Sequence, residues 1–367
     1  MNPYRPEPLP LQDLDYRRLL PLVGQANAAL ARYDGLLQGI PNPAVMLSPL
    51  TTQEAVLSSR IEGTQATVDE VLEQEAGLLK EGEKYQDILE ISNYRRALFA
   101  AREYLQDYPI RLGFVRELHR ILMDSVRGKE KMPGEFRKDQ NWIGKHGCTI
   151  EQATFVPSNP LQLPDFLQEW EHYLDSKDID YLLQTAVVHA QFELLHPFKD
   201  GNGRIGRILI PLFLYQKQIL SQPMFYLSEY LESHRDDYYA RLKEISAGQG
   251  WNNWIAFFLQ AVIEQATWNS VRVVAIQALY KTMKEKIHTL THSQYTVHLL
   301  DAIFDRPTFA TTDFIERTQI HKPTAMGLIR QLKAGNILRE LRPGSGRRAA
   351  VLCFPELLNI VEGRHIV

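Results

Sequence analysis

Residues 196–207 read His-Pro-Phe-Lys-Asp-Gly-Asn-Gly-Arg-Ile-Gly-Arg. This stretch packs an imidazole, a carboxylate, an amide, glycines and two guanidinium groups into one turn and the start of a helix. Gly201 and Gly203 flank Asn202, and glycines let a backbone turn with positive φ and approach a ligand closely. Successive exposed N–H groups in such a turn form an anion nest. A helix beginning near Arg204 aims the positive end of its dipole at the same point. Arg204 and Arg207 lie three apart, so both can reach phosphate oxygens from one helical face. Asp200, at the rim, can hold Mg²⁺ against two phosphates. His196 in its neutral form can take a proton from an attacking hydroxyl. Together these residue types predict a cradle for a nucleoside triphosphate and its metal, with a base beside it. A capped helix-to-helix turn is the plain alternative for a lone Gly-Asn-Gly. The number of functional groups held in one frame argues against it here.

The elements around this stretch must be helical. Residues 180–195 (DYLLQTAVVHAQFELL) are apolar nearly all round, which predicts a buried central helix. Pro197 ends it, because the residue before a proline is pushed out of the helical region. His189, Glu193 and His196 fall at i, i+4 and i+7, a zinc-like spacing on one face. No further Cys or His cluster accompanies them, so His189 reads as a core histidine and no protein-bound zinc is expected. Further helical patterns cover 85–106, 109–127, 162–195, 204–219, 236–248 and 251–290. Near the N-terminus, Pro3, Pro6, Pro8 and Pro10 precede a helical pattern through Leu19, Leu22, Val23, Ala26 and Leu30. Residues 35–50 read as a loop, and 51–62 as a short helix opened by Thr51 or Thr52 with Glu54 behind. The stretch 128–160, with Gly128, Pro133, Gly134, Gly144 and Gly147, predicts an irregular, hairpin-like region.

The last ~75 residues form a separate pattern. Thr311 or Thr312 caps a short helix, and a turn follows at Gln319–His321. Pro323 begins a second helix that ends near Gly335-Asn336. Strands over 337–341 and 349–354 then flank a turn at 343–346. Helix-turn-helix followed by a hairpin is the order of a winged helix.

The chain has 367 residues, 44% hydrophobic and 23% charged, which suits two or three globular domains. It contains no apolar run long enough to span a membrane and no secretory signal. Its two cysteines, Cys148 and Cys353, are far apart, and a cytoplasmic location is expected. Net charge is −3, but unevenly spread: residues after 270 carry 14 Lys and Arg against 8 Asp and Glu. That basic tail could meet nucleic acid or an acidic partner, or be a solvated surface.

The 196–207 string matches His-x-Phe-x-(Asp/Glu)-Gly-Asn-Gly-Arg-x-x-Arg, and so resembles the signature of the Fic (fido) family of protein adenylyltransferases. The resemblance implies an all-α, Fic-type helical core with a β-hairpin flap, an N-terminal helical segment and a C-terminal winged-helix domain. It implies transfer of AMP from Mg·ATP to Ser, Thr or Tyr hydroxyls of proteins, itself included, with release of pyrophosphate. By position, His196 would be the general base, Phe198 a core anchor and Asp200 the Mg²⁺ ligand. Asn202 with the N–H groups of Gly201 and Gly203 would hold the α-phosphate. Arg204 and Arg207 would hold the β- and γ-phosphates, with Ile205 in the same nucleotide-binding run. Residues 144–157 (GKHGCTIEQATFVP) resemble the family's flap, which pairs with the target's backbone, and 134–142 resemble its approach. Residues 233–242 resemble the segment closing over adenine, with Tyr238 or Tyr239 as its contact.

Ser58-Ser-Arg-Ile-Glu62-Gly63 matches the family's inhibitory motif, (Ser/Thr)-x-x-x-Glu-(Gly/Asn). A helix end with Gly63 as its C′ residue is the plain reading. Ser58 and Glu62 are four apart, on one helix face. A Glu62 carboxylate paired with Arg207 would occupy the guanidinium that the γ-phosphate needs. The expected domains are 1–105 (inhibitory region), 106–270 (catalytic core), 271–289 (connecting helix) and 290–367 (winged helix). The resemblance leaves transfer of another nucleotide, or removal of AMP, open at the same site. A reading of another class is a DNA-binding regulator, with Arg330, Lys333, Arg347 and Arg348 on phosphates and 323–335 as recognition helix. Dimerisation is a further use for that region.

Overall fold

Apolar residues at helical spacing build most of this chain, and the computed structural model is accordingly mostly helical with one small antiparallel sheet. It describes residues 2–77, 84–125, 129–145, 147–346 and 348–363. Gly128, His146 and Arg347, singled out above, lie outside the described residues. So do residues 126 and 127 of the 109–127 pattern and the end of the 290–367 region. The helices run α1 (Tyr16–Gln38), α2 (Pro43–Met46), α3 (Ser48–Ile61), α4 (Val68–Glu75), α5 (Tyr85–Tyr104), α6 (Leu112–Leu122), α7 (Leu163–Asp175) and α8 (Tyr181–Leu195). After these come α9 (Asn202–Gln216), α10 (Ser228–Ser233), α11 (Arg235–Ser246), α12 (Trp251–Thr291) and α13 (Thr296–Asp305). Strand β1 (Thr308–Ala310), α14 (Thr311–Thr318), α15 (Lys322–Ala334), β2 (Arg339–Arg342), β3 (Val351–Cys353) and α16 (Pro355–Glu362) complete the order. Among the described residues no helix is long and apolar enough to cross a membrane.

The chain divides into two units that interleave along the sequence. One comprises Met1–Asp34, Leu57–Gly63 and Ser92–Thr267; the other comprises Gly35–Val56, Thr64–Ile91 and Trp268–Val367. The first unit is organised around α8. Every residue from Leu182 to Leu195 is buried, as an all-round apolar helix requires. Asp180 caps it, accepting from the Leu182 and Leu183 N–H groups at 2.8 and 3.1 Å. Two indoles close over its flanks: Trp170 Nε1 donates to the Val188 carbonyl and Trp254 Nε1 to that of Ala186. Helix α9 packs along α8, and α7 and α11 also pack on α8. The motif loop therefore hangs between two helices whose positions the core fixes.

The second unit holds the sheet, in the order β1-β3-β2, antiparallel throughout. Phe309 pairs with Leu352 in it and stacks on Phe314 of α14 at 4.9 Å. Helix α4 packs on β1, and α14 on α15.

Several local expectations shift. The 35–50 stretch is not all loop: α1 runs on to Gln38, and α2 forms behind Pro43. Helix α3 starts at Ser48, ahead of Thr51, because Pro49 is tolerated in a first turn whose N–H groups have no intrahelical partner. Helix α14 has Ala310 at its N-cap, and Thr311 lies inside the helix. The Thr311 N–H donates to the Ala350 carbonyl at 2.9 Å, a tertiary partner in place of a side-chain cap. Strand β1 and helices α2, α4, α10, α13 and α16 have sequence signals too short or too mixed to separate from loop.

The 144–157 flap is a hairpin of minimal extent. One bridge joins Ile143 to Phe155. A capping box at Thr149–Gln152 then turns the chain into a single 3₁₀ turn, so the ladder cannot run on.

Candidate functional site

The motif loop is closed by its own residues. Gly201, at φ 77°, is the N-cap of α9, which therefore begins at Asn202, two residues before Arg204. The Asn202 side chain accepts from the Phe198 N–H at 2.8 Å and donates to the Phe198 carbonyl at 2.9 Å. Both its polar atoms thus brace the turn. Phe198 is fully buried and stacks on His119 at 3.8 Å. Asp200 accepts from the Gly201 N–H at 2.6 Å and stands 3.6 Å from Arg204.

Residues outside the motif also hold this loop, His119 and Arg137 foremost, and sequence reasoning did not assign them. His119, on α6, accepts from the Gly134 N–H at Nδ1 (2.9 Å), which leaves Nε2–H to donate to the Asp200 carbonyl (3.0 Å). Burial pushes its pKa down to about 4, so the imidazole is neutral at ordinary pH. Arg137 is buried, and its guanidinium donates to the carbonyls of His196 (2.8 Å), Ser158 (2.5 Å), Leu195 (3.2 Å) and Asp139 (3.2 Å). Its own N–H donates to the Pro197 carbonyl at 2.8 Å. It ties the end of the flap segment to the turn that carries His196. Position 137 lies in the 134–142 stretch noted above, but nothing local in that stretch says that its side chain runs inward.

His196 closes α8 in the left-handed conformation, at φ 49°, ψ 61°. Its Nδ1 lies 3.3 Å from the Glu193 carbonyl, an acceptor, so Nδ1 carries the hydrogen and Nε2 keeps its lone pair. Burial pushes its pKa down to about 4, and Arg137 adds to the effect. A neutral imidazole with a free lone pair is the protonation state that proton abstraction needs.

Arg207 is almost wholly buried, on the face of α9 toward Ser58 and Glu62. Its Nε donates to Ser58 Oγ (2.8 Å), and its Nη2 donates to the Ser58 carbonyl (2.9 Å) and Glu62 Oε1 (2.6 Å). Burial raises the Glu62 pKa, and Arg207 beside it more than reverses this, holding the carboxyl below its ordinary value. A Cβ at position 203 would stand 2.2 Å from Glu62 Oε1, so glycine there lets the carboxylate rest on the first turn of α9. The carboxylate thus lies at a helix N-terminus and on a guanidinium together, the two features that attract anions.

A cavity of about 810 Å³ opens beside these groups, lined among others by Glu62, Glu193, His196, Gly203, Arg207 and Tyr239. Trp142, Ile143 and Phe155 from the flap stem line it too. Tyr238 also lines it, but its ring is buried and its hydroxyl donates to His189 Nε2 at 3.0 Å. His189 Nδ1 lies 3.1 Å from the Gly206 carbonyl. Tyr239 is 42% exposed, with the Arg235 guanidinium over its ring at 5.8 Å and the Tyr238 ring at 5.2 Å. The Ile205 side chain is fully buried in the core and is not among the cavity's lining residues.

Residues 20–103 match the model of the Fic/DOC family N-terminal region, and residues 109–214 that of the Fic/DOC family. The chain carries a Fic domain. The 196–207 loop lies inside the second match and the Ser58–Glu62 turn inside the first. Over 193 residues the Fic chain is 25% identical to a probable protein adenylyltransferase of Aquifex aeolicus, covering 52% of this chain and 56% of that protein. It is 29% identical over 221 residues to the protein adenylyltransferase Fic of Drosophila grimshawi, covering 56% of this chain and 40% of that one. The matches thus span about half or less of these relatives' lengths. In fold it resembles a Fic family protein from Desulfovibrio desulfuricans, with TM-score 0.58 at 19% identity over 96% of this chain and 98% of that one. It also resembles Fic-1 from C. elegans, with TM-score 0.53 at 20% identity over 71% and 74% of the two chains.

Proposed function

We propose that this Fic protein is a self-inhibited adenylyltransferase that moves AMP from Mg·ATP to Ser, Thr or Tyr hydroxyls of target proteins, itself included. One observation carries the reading: Glu62 already occupies Arg207 and the N-terminus of α9, in a cavity shared with a neutral His196. A site that draws an anion from its own chain will draw phosphate when that anion leaves.

His196 Nε2 takes the proton of the attacking hydroxyl. The hydroxyl oxygen bonds to the α-phosphorus, the bond to the bridging β-phosphate oxygen breaks, and pyrophosphate leaves with that electron pair. Arg204 and Arg207 hold the β- and γ-phosphates, and the N–H groups of Gly201 and Gly203 face the α-phosphate. Asn202 acts by bracing the turn. Tyr239, exposed where Tyr238 is buried, is the better of the two tyrosines to meet adenine. Ile205 can contribute through its backbone, its side chain being committed to the core.

The donor set suits Mg²⁺. Asp200 is a single, half-exposed carboxylate at the rim of the phosphate nest, and Mg²⁺ pairs one or two carboxylates with substrate phosphates. Bound there, the ion neutralises phosphate charge. The target strand pairs beside Ile143 and Phe155 of the flap.

Full-length protein with labelled ATP tests the reading. Glu62→Gly raises incorporated AMP by at least about tenfold, as loss of a charge-assisted bond of about 1.5–3 kcal/mol requires. His196→Ala in that background abolishes it while nucleotide still binds. Unchanged incorporation in Glu62→Gly removes the brake from the reading, and survival of transfer in His196→Ala removes the base. Parallel labelled UTP and an AMP-modified target separate AMP transfer from its alternatives.

Helices α14 and α15 with β2 and β3 follow winged-helix order. Lys333 there is paired with Glu340, which speaks against duplex DNA as this region's partner. A salt-dependent shift of DNA by the full chain reverses that reading.

A further inference from the structure

Glu193 sits on α8, three residues before His196 and four after His189. It is 9% exposed and lines the cavity. Its Oε1 is sealed from solvent and has no hydrogen-bond partner. Gly206 makes room for it: a Cβ at position 206 would stand 2.1 Å from Oε1 and 3.3 Å from His189 Cε1. Oε1 therefore lies against the Cα side of Gly206, which offers no side-chain acceptor, and the Gly206 carbonyl already meets His189 Nδ1. The carboxyl's remaining oxygen is the one left to meet the cavity.

The charged and titratable groups around Glu193 come from each neighbouring element. They are Glu62 at the end of α3, Arg207 on α9, Tyr238 and Tyr239 on α11, and His189 on its own helix. Arg207 is paired with Glu62, so its charge is already answered. Burial pushes the Glu193 carboxyl up to about 8; Arg207 opposes this, and Glu62 adds to it. The resting site thus holds two carboxyl groups and one guanidinium, with Glu62 ionised and Glu193 protonated.

We propose that Glu193, as a neutral carboxylic acid, donates a hydrogen bond to the terminal phosphate of the nucleotide once that phosphate has displaced Glu62 from Arg207. This rests on the function proposed above and adds a phosphate-binding residue to it. A phosphate oxygen is a strong acceptor, whereas an ionised carboxylate beside it would repel it. The phosphate replaces the negative charge that Glu62 had kept next to Glu193, and so keeps the proton in place. With Glu62 gone and no nucleotide bound, Glu193 loses that neighbour and titrates lower. Binding then takes a proton up.

Isothermal titration of full-length Glu62→Gly protein with Mg·ATP tests this, from pH 6.5 to 9.5, in buffers of differing ionisation heat. Affinity is expected to weaken as pH rises, by up to about tenfold per unit, with net proton uptake. Glu193→Gln in the same background keeps a donor and cannot titrate. It is expected to bind with the parent's low-pH affinity across the range and without uptake. Glu193→Ala is expected to bind about tenfold more weakly at low pH, while AMP, lacking the terminal phosphate, responds to neither substitution. The same pH slope in Glu193→Gln, or full-strength binding in Glu193→Ala, overturns the proposal. A Glu62→Gly protein that binds Mg·ATP with this pH signature but transfers no AMP overturns the function and leaves the Glu193 contact standing. One that binds no Mg·ATP overturns both.

Discussion

The motif loop and the flap lie on two sides of one cavity and are held to different degrees. The loop is closed from within, where Asn202 braces Phe198 and Gly201 caps α9, and is held again from outside by His119 and Arg137. Among the described residues the flap has a backbone bridge at Ile143 and Phe155, to which the Thr154 hydroxyl and N–H add bonds on the Ile143 carbonyl, an indole bond from Trp142 to the Cys148 carbonyl, and a short 3₁₀ turn. Its far end is anchored by residues distant in sequence. The Tyr4 N–H donates to the Val156 carbonyl, and Arg137 donates to that of Ser158. On the function proposed here, phosphate chemistry needs fixed donors, and a surface that receives varied target backbones needs adaptable ones. The rigid side is thus the one whose residue types are dictated, and the loose side is written mainly in backbone.

Arg137 is where the two sides are tied, so removing it should blur the contrast most. Arg137→Leu leaves the carbonyls of His196, Leu195 and Ser158 without this donor and is expected to cost about 4 kcal/mol. Thermal unfolding reads the loss, and hydrogen exchange is expected to rise in both segments together. A change confined to the flap would show that the loop stands without Arg137.

Acid should separate the two. His119 supports the loop while neutral, and its folded pKa lies below the unfolded one. The unfolded state therefore binds more protons as pH falls through 6.5, and stability drops toward pH 4. The loss reaches about 3 kcal/mol by pH 4. Exchange at Gly201–Gly203 is expected to rise before that at 143–155, and the reverse order breaks the comparison. At saturating Mg·ATP, transfer by the Glu62→Gly form should also stay flat from pH 8 to 6, because burial holds the His196 pKa down to about 4.

Asn202→Ala is the local test of the loop. The buried Phe198 N–H loses its partner and the Phe198 carbonyl keeps only the Asn141 amide, for about 2 kcal/mol and a large fall in transfer. On the flap, Trp142→Ala should cost under about 1 kcal/mol, because that indole is partly exposed and makes a single bond. Its effect belongs in KM for the target protein, with KM for ATP unchanged.

The contrast explains what was legible. The central helix at 180–195, its stop at Pro197 and the turn that opens α9 could be read directly, because each rests on contacts within a few residues. The same holds for α15 behind Pro323 and for the long helix after 251. The start of α14 could not be read that way, since its first N–H is satisfied by Ala350, the residue just before β3. His119 and Glu193 carry no local mark of their roles: a histidine or glutamate on a helix looks alike whether it faces water or a sealed slot.

By itself, then, the sequence determined the chemistry available between 196 and 207, because residue type and spacing set which groups share a turn. It also placed Ser58 and Glu62 on one helical face. Tertiary structure decided which charges meet. It set Glu62 2.6 Å from Arg207, in unit with a loop more than a hundred residues away, and it aimed the Arg137 guanidinium inward at four carbonyls. It also sealed one oxygen of Glu193 against Gly206. The physical reason is common to the first two. Burial makes an unanswered polar group costly, so its partner is chosen by the packing of α8, α9 and their neighbours and is not encoded in the flanking residues.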